Sequence, residues 1–379
     1  MRSAGRTTVL LALLTAATLL IAMFTACSGK DDIETYGTSS TPSSQQPESL
    51  APSAVATSTP TPTPSPSPSP TPTMPPQHIK VSFIGDCTLS DALAWSGSPG
   101  SFDAVYNAEG FEYFFKNAKE YLSQDDLTLA NFEGTITSST SHLTKEFVFG
   151  SPIEYMQIVK DGSIEAVNLA NNHTYDYLDQ GVTDTKAAMD ENGILWSDRN
   201  TYSIATINGI KIGMCGIDNV SNNDTADQAY PMIDAMREEG VNVIIVSCHW
   251  GIEKDYSPRS EQVQIAHDLI DYGADIVVGT HPHRLQPIEK YNGKFIFYSL
   301  SNFCFGGNTG LSDPDSCIVQ CEIVMDPTNT YATDYIVNII PFSQTTKRPG
   351  NDYCPIAYEP GSEDYYRVME RLQWSGEDE

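Results

Sequence analysis

The sequence predicts one α/β domain of mixed sheets over about residues 78–345, and three observations predict it. From Ile79 onward, short apolar runs alternate with longer amphipathic ones. Runs such as Val243-Ile244-Ile245-Val246 are apolar on both faces, as strands covered on both sides must be. Two dipeptides, Asn208-Gly209 and Asn292-Gly293, suit the left-handed angles of type I′ turns, so antiparallel hairpins join the parallel strands.

Taken in order, Ile79–Ile84 reads as a strand ending at Gly85-Asp86, and helical spacing covers Phe111–Leu122. Leu127–Ala130 is a strand ending at Asn131-Phe132-Glu133, Tyr155–Lys160 a short helix, Ile164–Leu169 a strand and Leu178–Glu191 a helix. Between the two hairpins, helix Ile233–Glu239, strand Val241–Ser247, helix Gln262–Tyr272 and strand Asp275–Val278 make right-handed βαβ units. The C-terminal extension, residues 346–379, is rich in Pro and Tyr with an acidic end, and reads as irregular packing followed by a frayed terminus.

The first 77 residues have a different character. Arg2 and Arg6 precede an uncharged apolar run, Thr7 to Met23, which has the pattern of an export signal and is short for a membrane span. Phe24-Thr25-Ala26-Cys27 resembles the lipobox of bacterial lipoproteins, although Phe24 stands where that pattern has Leu. The resemblance implies a signal over residues 1–27, a lipid on Cys27 and a lipid-anchored place on the extracytoplasmic face of a bacterial membrane. Ordinary secretion and an uncleaved anchor are the alternatives. Residues 28–77 are Ser, Thr, Pro and Gln with few large apolar side chains, too little to fold. Their Thr/Ser-Pro tract, Thr59 to Pro76, favours polyproline II and reaches on the order of 50 Å as a semi-rigid stalk.

Charge narrows the function. The 379 residues carry 21 Lys and Arg against 49 Asp and Glu, a net charge of −28. Residues 1–77 hold three basic (Arg2, Arg6, Lys30) and four acidic (Asp31, Asp32, Glu34, Glu48) residues, so nearly all of the charge belongs to the domain. Such a field repels a polyphosphate backbone, and nucleic acid is excluded as a partner. Any contact with a polyanion needs metal ions or a local basic patch.

The chemistry-bearing residues sit where strands stop. Asp86 follows the first strand, Glu133 the second, Asn171-Asn172-His173 the third, His249 the strand Val243–Cys248, and His281-Pro282-His283 the strand that begins at Asp275. Ligands bind beyond the carboxyl ends of strands in open α/β sheets, so five such ends converge on one site. A mixed oxygen and nitrogen donor set suits one or two ions of Mn²⁺, Fe or Zn²⁺. Each piece alone has a plainer reading. Gly-Asp is a common turn, and the Asn-Asn-His stretch with Asp176 and Asp179 reads equally as a helix cap. In His281-Pro282-His283, proline pushes His281 toward an extended backbone, and Gly279-Thr280 allows close approach to a ligand. His267 lies mid-helix among apolar residues and reads as structural, and Trp250 is either a cleft wall or core. With Cys27 set aside, seven cysteines remain, an odd number that gives no clean disulfide framework; Cys317 and Cys321 share a strand face too far apart to bridge.

Gly85-Asp86, Asn131-Phe132-Glu133-Gly134, Ala170-Asn171-Asn172-His173, His249-Trp250-Gly251-Ile252-Glu253, Gly279-Thr280-His281-Pro282-His283 and Tyr298-Ser299-Leu300-Ser301-Asn302-Phe303, in this order, resemble the motifs of the poly-γ-glutamate capsule biosynthesis (CapA-type) family, a branch of the calcineurin-like metallophosphoesterases. The resemblance spans about Ile79 to Pro341. It implies a four-layer αββα sandwich with a dinuclear metal site. By position, Asp86 and His283 hold the first metal, Asn172, His249 and His281 the second, and Glu133 bridges. His173 is the outer acid that protonates the leaving oxygen. Thr88 stands where the superfamily has a metal-binding histidine, so the first metal lacks one ligand. Asn131, Glu253 and Arg284 flank the site as candidate substrate contacts; Arg284 reads equally as a surface ion pair. Three function classes follow: a metal-dependent phosphoesterase-like hydrolase at the cell surface, a non-catalytic metal-binding component of anionic polymer export or attachment, or a solute-binding lipoprotein. The implied partners are an anionic polymer or a small phosphorylated or carboxylated substrate, the membrane, and a capsule synthesis complex.

Overall fold

A computed structural model describes residues 75–375. The signal segment, Cys27 and all but the last residues of the stalk lie outside the described residues. The first half of the domain runs β1 (His78–Thr88), α1 (Phe102–Glu109), α2 (Lys119–Leu122), β2 (Leu127–Phe132), β3 (Thr135–Ile136), β4 (Gly150–Ser151), α3 (Met156–Asp161), β5 (Ala166–Asn168), α4 (Leu178–Asn192) and β6 (Leu195–Ser197). The second half runs β7 (Ser203–Ile207), β8 (Ile210–Asp218), α5 (Tyr230–Glu238), β9 (Val243–His249), α6 (Ser260–Tyr272), β10 (Ile276–Thr280), β11 (Leu285–Tyr291), β12 (Lys294–Leu300), β13 (Asn302–Phe305), β14 (Asp315–Met325), β15 (Ala332–Ser343), β16 (Ile356–Ala357) and α7 (Glu363–Leu372).

Alternation along the strands makes the layers. Successive side chains of a strand point to opposite faces, so a strand apolar at every position serves two cores at once. In β1, Ile79, Val81 and Phe83 join Leu127 and Leu129 of β2 against Ile212 and Met214 of β8, Val243 and Ile245 of β9, and Phe295 and Phe297 of β12. The intervening residues Ile84, Ala130 and Val167 face outward onto Phe102, Met156, Ile158 and Met189 of the first helices. On the other sheet Ile244, Val246 and Val277 face Ile233, Met236, Ile265 and Leu269 of α5 and α6. The result is a four-layer αββα sandwich, as the family resemblance implies.

The sheets are mixed. An eight-stranded sheet has the order β16-β15-β14-β1-β2-β5-β6 with β13 alongside β1, and a six-stranded sheet has the order β11-β12-β10-β9-β8-β7. Strands β1, β2, β5 and β6 are mutually parallel, as are β8, β9, β10 and β12. Both Asn-Gly turns have positive φ at each residue, as the type I′ reading requires.

Some expectations need correction. The first strand does not stop at Ile84: it shifts register between Ile84 and Asp86 and continues to Thr88. Gly85 permits this, because a Cβ there would lie 1.9 Å from Ser301 O, and Asp86 N donates to that same carbonyl at 2.9 Å. The expected helix over Phe111–Leu122 is instead a 3-10 turn at Phe111–Tyr113 and the one-turn α2. Helical spacing there places Phe114, Phe115, Ala118 and Leu122 in the core, and aromatic packing onto Phe102 and Phe303 outweighs weak helix propensity. The chain beyond Thr345 is not frayed through the described residues. β16 pairs with β15, and α7 buries Val368 and Leu372 in the inter-sheet core.

Candidate metal centre

The carboxyl ends of β1, β2, β5, β9 and β10 gather the predicted residues. Asp86, near the end of β1, is fully buried. Its Oδ1 accepts from Asn131 Nδ2 at 2.7 Å, and its Oδ2 accepts from His281 N at 3.3 Å and lies 3.3 Å from His283 Nδ1. Donor atoms of Asp86, Glu133 and His283 all lie within 4.8 Å of one another. Asn302 Oδ1, 2.6 Å from His283 Nδ1, fixes the ring.

A second cluster adjoins the first. Asn172 Oδ1 is 2.9 Å from His249 Nε2, while Thr280 Oγ1 and Asn131 Nδ2 stand 3.0 and 3.3 Å from His249 Nδ1. The His249 and His281 ring centres are 4.8 Å apart. The two clusters meet at Asp86 and Asn131.

His173 lies beside both. Its Nε2 is 3.7 Å from Glu133 Oε1, and its Nδ1 is 2.8 Å from Asp176 Oδ2. Lys145 Nζ pairs with Asp176 Oδ1 at 2.5 Å, approaches His173 Nδ1 at 3.2 Å and donates to Asn172 O at 3.0 Å. Asp176 therefore orients an imidazole instead of capping α4, whose N-cap, Tyr177, makes no side-chain cap bond. Asp176 Oδ2 also accepts from Phe149 N at 2.7 Å.

The charge states follow from burial and neighbours. Burial, then the repulsion of Asp86, raises the Glu133 carboxyl well above its ordinary value. Burial pulls His283 down, but its hydrogen bond with Asp86 and the charge of Glu133 more than offset it, and the imidazole is pushed up to about 9. His249 goes the other way: burial, then the neighbouring histidines, lowers it well below normal. Burial and His283 pull His281 down to about 4. Burial also lowers His173, opposed by Asp176.

A divalent cation fits these donors. Two buried atoms, Glu133 Oε2 and His281 Nδ1, have no hydrogen-bond partner among the described residues, one in each cluster. Each is a lone-pair site that costs free energy if left unmatched. With Asp86 and His283 beside the first and Asn172 and His249 beside the second, they form the oxygen and nitrogen set that Mn²⁺, Fe or Zn²⁺ prefers.

Several expectations are sharpened or corrected. Asn131 is not among the cavity-lining residues: its amide oxygen accepts from Asn168 and Asn171 and its nitrogen holds Asp86, so it ties three strands together. Glu253 is exposed and lines the cavity with Glu133, His173 and His283. Arg284 lines it too, but is buried, not a surface pair. It donates to His283 O at 2.6 Å and Ser312 Oγ at 2.8 Å, and its Nε lies 3.5 Å from Asp313. Thr88 is buried and donates to Glu133 O at 2.8 Å, so it positions the backbone of Glu133. His281 is not extended: its φ is 95° and that of His283 is 52°, with Ser301 at 62°. The close approach at Gly279 serves Tyr298 O, 2.1 Å from where a Cβ would lie, and not a ligand. Trp250 is core, its indole donating to Tyr298 O. His267 stacks on Tyr291 and pairs with Glu289, away from the site. The seven cysteines among the described residues are buried and unbridged. Lys145, Thr280, Asn302 and the orienting role of Asp176 escaped the sequence reading. Asp176, three residues after His173, and Thr280 and Asn302, each inside one of the ordered motifs, carried a local signal, and Lys145 carried none.

The model of the bacterial capsule synthesis protein family PGA_cap matches residues 80–307. The chain is 30% identical over 276 residues to the PGA biosynthesis protein CapA of Bacillus subtilis, covering 67% of this chain and 70% of that protein. It is 28% identical over 246 residues to the capsule biosynthesis protein CapA of Bacillus anthracis, covering 58% and 60% respectively. Among solved structures, a phosphatase from Mycoplasma pneumoniae aligns at a TM-score of 0.42 with 15% identity, over 70% of this chain and 94% of the other.

Proposed function

The chain belongs to the bacterial capsule synthesis protein family PGA_cap, and from that premise we propose that it is a metal-dependent, phosphoesterase-like hydrolase serving poly-γ-glutamate capsule synthesis at the cell surface. One observation carries the catalytic part: an imidazole oriented by Asp176, that of His173, stands 3.7 Å from Glu133 of a convergent Asp86, Glu133 and His283 set. A purely structural relic has no need of Asp176 and Lys145 to aim that ring.

In this reading Asp86, Glu133 and His283 hold one cation, and Asn172, His249 and His281 a second. When bound, such ions supply Lewis-acid charge that activates water and neutralises charge on the attacked group. The chain's own residues do the rest. Asp86 and Asn131 keep the donors in register across three strands. His281 and His249, held neutral by burial, keep lone pairs available. Asp176 accepts from His173 Nδ1–H and fixes the ring, and in the imidazolium form Nε2–H gives its proton to the departing oxygen, leaving the neutral Nδ1–H ring. The partner is an anionic polymer or a phosphorylated or carboxylated small molecule within a capsule synthesis complex, and Cys27 carries the lipid that places the protein on the outer face of the membrane.

Thr88 in place of a histidine favours a second reading, a metal-binding component of polymer export or attachment that does not hydrolyse. Full-length protein purified gently with Mn²⁺ supplementation is expected to retain metal, and His281→Ala with His283→Ala to lose it; absence of any ion from the unmutated protein ends both readings. Turnover of bis-p-nitrophenyl phosphate that falls roughly 10²- to 10⁴-fold in His173→Ala, with metal content unchanged, supports the hydrolase. Metal binding without any turnover leaves the second reading standing alone.

A further inference from the structure

The metal cluster opens into a cavity of about 370 Å³ whose walls are chemically unlike. Glu133, His173 and His283 line its deep end; Lys254 and Arg284 bring positive charge beside Glu253 and Asp313, with Arg284 Nε 3.5 Å from Asp313. The remaining wall is aromatic. Trp95 and the Phe147–Phe149 pair, from two separate loops, and Phe305, from the end of β13, meet there. Trp95 and Phe147 sit edge to face with centres 5.9 Å apart, and Phe147 stacks on Phe149 at 6.5 Å. Phe149 reaches His173 at 4.5 Å, and Phe305 reaches His283 at 5.1 Å, so the wall runs from the surface to the site's imidazoles.

Packing alone does not account for this wall. Its rings belong to none of the three large cores of the sandwich; Phe149 and Phe305 form a small cluster of their own with Ala92, against which Trp95 packs. Phe147 is 38% exposed. The Trp95 indole N–H is buried with no acceptor among the described residues, which is costly unless something supplies one. Hydrolysis at a metal pair requires no aromatic surface, and a chain of carboxylates offers such a surface nothing to stack.

We infer that this cavity selects a phosphate ester whose alcohol carries a flat-faced ring, with the ring on Trp95 and Phe147 and the phosphoryl group at the Glu133 and His283 end. The inference rests on the metal-dependent phosphoesterase reading. A sugar ring and an aryl ring share the required chemistry, a flat apolar face with polar edges, and the Trp95 N–H meets an oxygen at that edge. Lys254 and Arg284 meet the ester's negative charge.

The test is calorimetric binding to the full-length Mn²⁺-loaded protein, with inorganic phosphate, methyl phosphate, phenyl phosphate, glucose 1-phosphate and a γ-glutamyl oligomer as probes. Phenyl phosphate or glucose 1-phosphate is expected to bind roughly two- to tenfold more tightly than methyl phosphate, and which of them leads identifies the ring. Trp95→Ala and Phe147→Ala each shrink that ratio toward one, whereas Trp95→Phe keeps the ratio for phenyl phosphate and lowers it for glucose 1-phosphate, whose edge oxygens need the indole N–H; a merely structural role would not split the two. A ratio of one in the unmutated protein, a ratio untouched by both alanine variants, or a ringless γ-glutamyl oligomer bound as tightly as phenyl phosphate overturns the inference. If phosphate and methyl phosphate bind but show no ring preference, only this inference falls. If neither they nor the ring-bearing esters bind, the phosphoesterase reading falls with it.

Discussion

The two halves of the candidate metal centre sit on neighbouring strand ends, yet they solve the problem of burial in opposite ways. The half around Asp86, Glu133 and His283 concentrates charge: the Glu133 carboxyl is driven up and the His283 imidazole is driven up to about 9. The half around Asn172, His249 and His281 is built from neutral groups, with both imidazoles driven down. The difference teaches which half needs a cation more. A buried carboxylate pair with one imidazolium is unstable by itself and is relieved by a dication, whereas the neutral half carries no net charge to offset and leaves only the His281 Nδ1 lone pair unmatched. Thr88 removes a ligand from the charged half, but it removes a neutral one. The two carboxylates that generate the attraction remain.

The largest effect should come from breaking the charged half. Asp86→Ala deletes the residue that touches His283, His281 and Asn131, and bound metal measured by plasma mass spectrometry is expected to fall by roughly 100-fold in affinity. Asn172→Ala, in the neutral half, should leave about one ion per chain in place, because the carboxylates are untouched. Equal losses in the two variants would mean that the halves do not differ as their charges say.

A change of pH sharpens the same contrast in chelator-treated, metal-free protein. His283 has its folded value raised above the ordinary one of about 6.5, so its stabilising contribution is complete below that value and is lost as pH rises through about 9. His281 has its folded value lowered to about 4, so its contribution is complete above about 6.5 and is lost as pH falls through about 4. Thermal unfolding across pH 4 to 9.5 should therefore show losses at both ends. His283→Asn should flatten the alkaline limb and, by removing the charge that helps lower His281, soften the acid one, whereas His281→Asn should flatten the acid limb and spare the alkaline one; the reverse assignment would refute the charge states described above.

The sheet cores were far more legible in the sequence than the site's inner wiring. Ile79, Val81 and Phe83 announce one face, and Ile84 the other, because strand periodicity is local and the hydrophobic effect needs no partner's identity. The ligand candidates were legible for the related reason that strand ends are where a parallel sheet presents its side chains. What lay hidden depends on distant neighbours. Lys145 is 28 residues from His173, and Asn302 is 19 from His283; no periodicity marks either. The single helix expected at Phe111–Leu122 failed for the same reason, since Phe114 and Phe115 find their partners in Phe102 and Phe303. The irregular tail expected after Thr345 failed because Val368 and Leu372 fill a space that only the assembled sheets create.

The smallest expected effect tests the hinge between the halves, the turn that carries Asn172 of the neutral half and His173 facing the charged one. Lys145 is partly exposed, holds Asp176 at 2.5 Å and lies 3.2 Å from His173 Nδ1, where its charge helps burial keep the imidazole low. In Lys145→Met that positive charge disappears and Asp176 loses its other cation, so both changes raise the His173 value. If His173 delivers the proton to the leaving oxygen, the pH at which turnover of bis-p-nitrophenyl phosphate declines on the alkaline side should move upward, with a loss of only a few-fold in kcat. Lys145→Arg should hold the profile near that of the unmutated protein. A decline that stays in place or moves downward would show that the group titrating in turnover is not His173, and the proton would then have to come from elsewhere in the charged half.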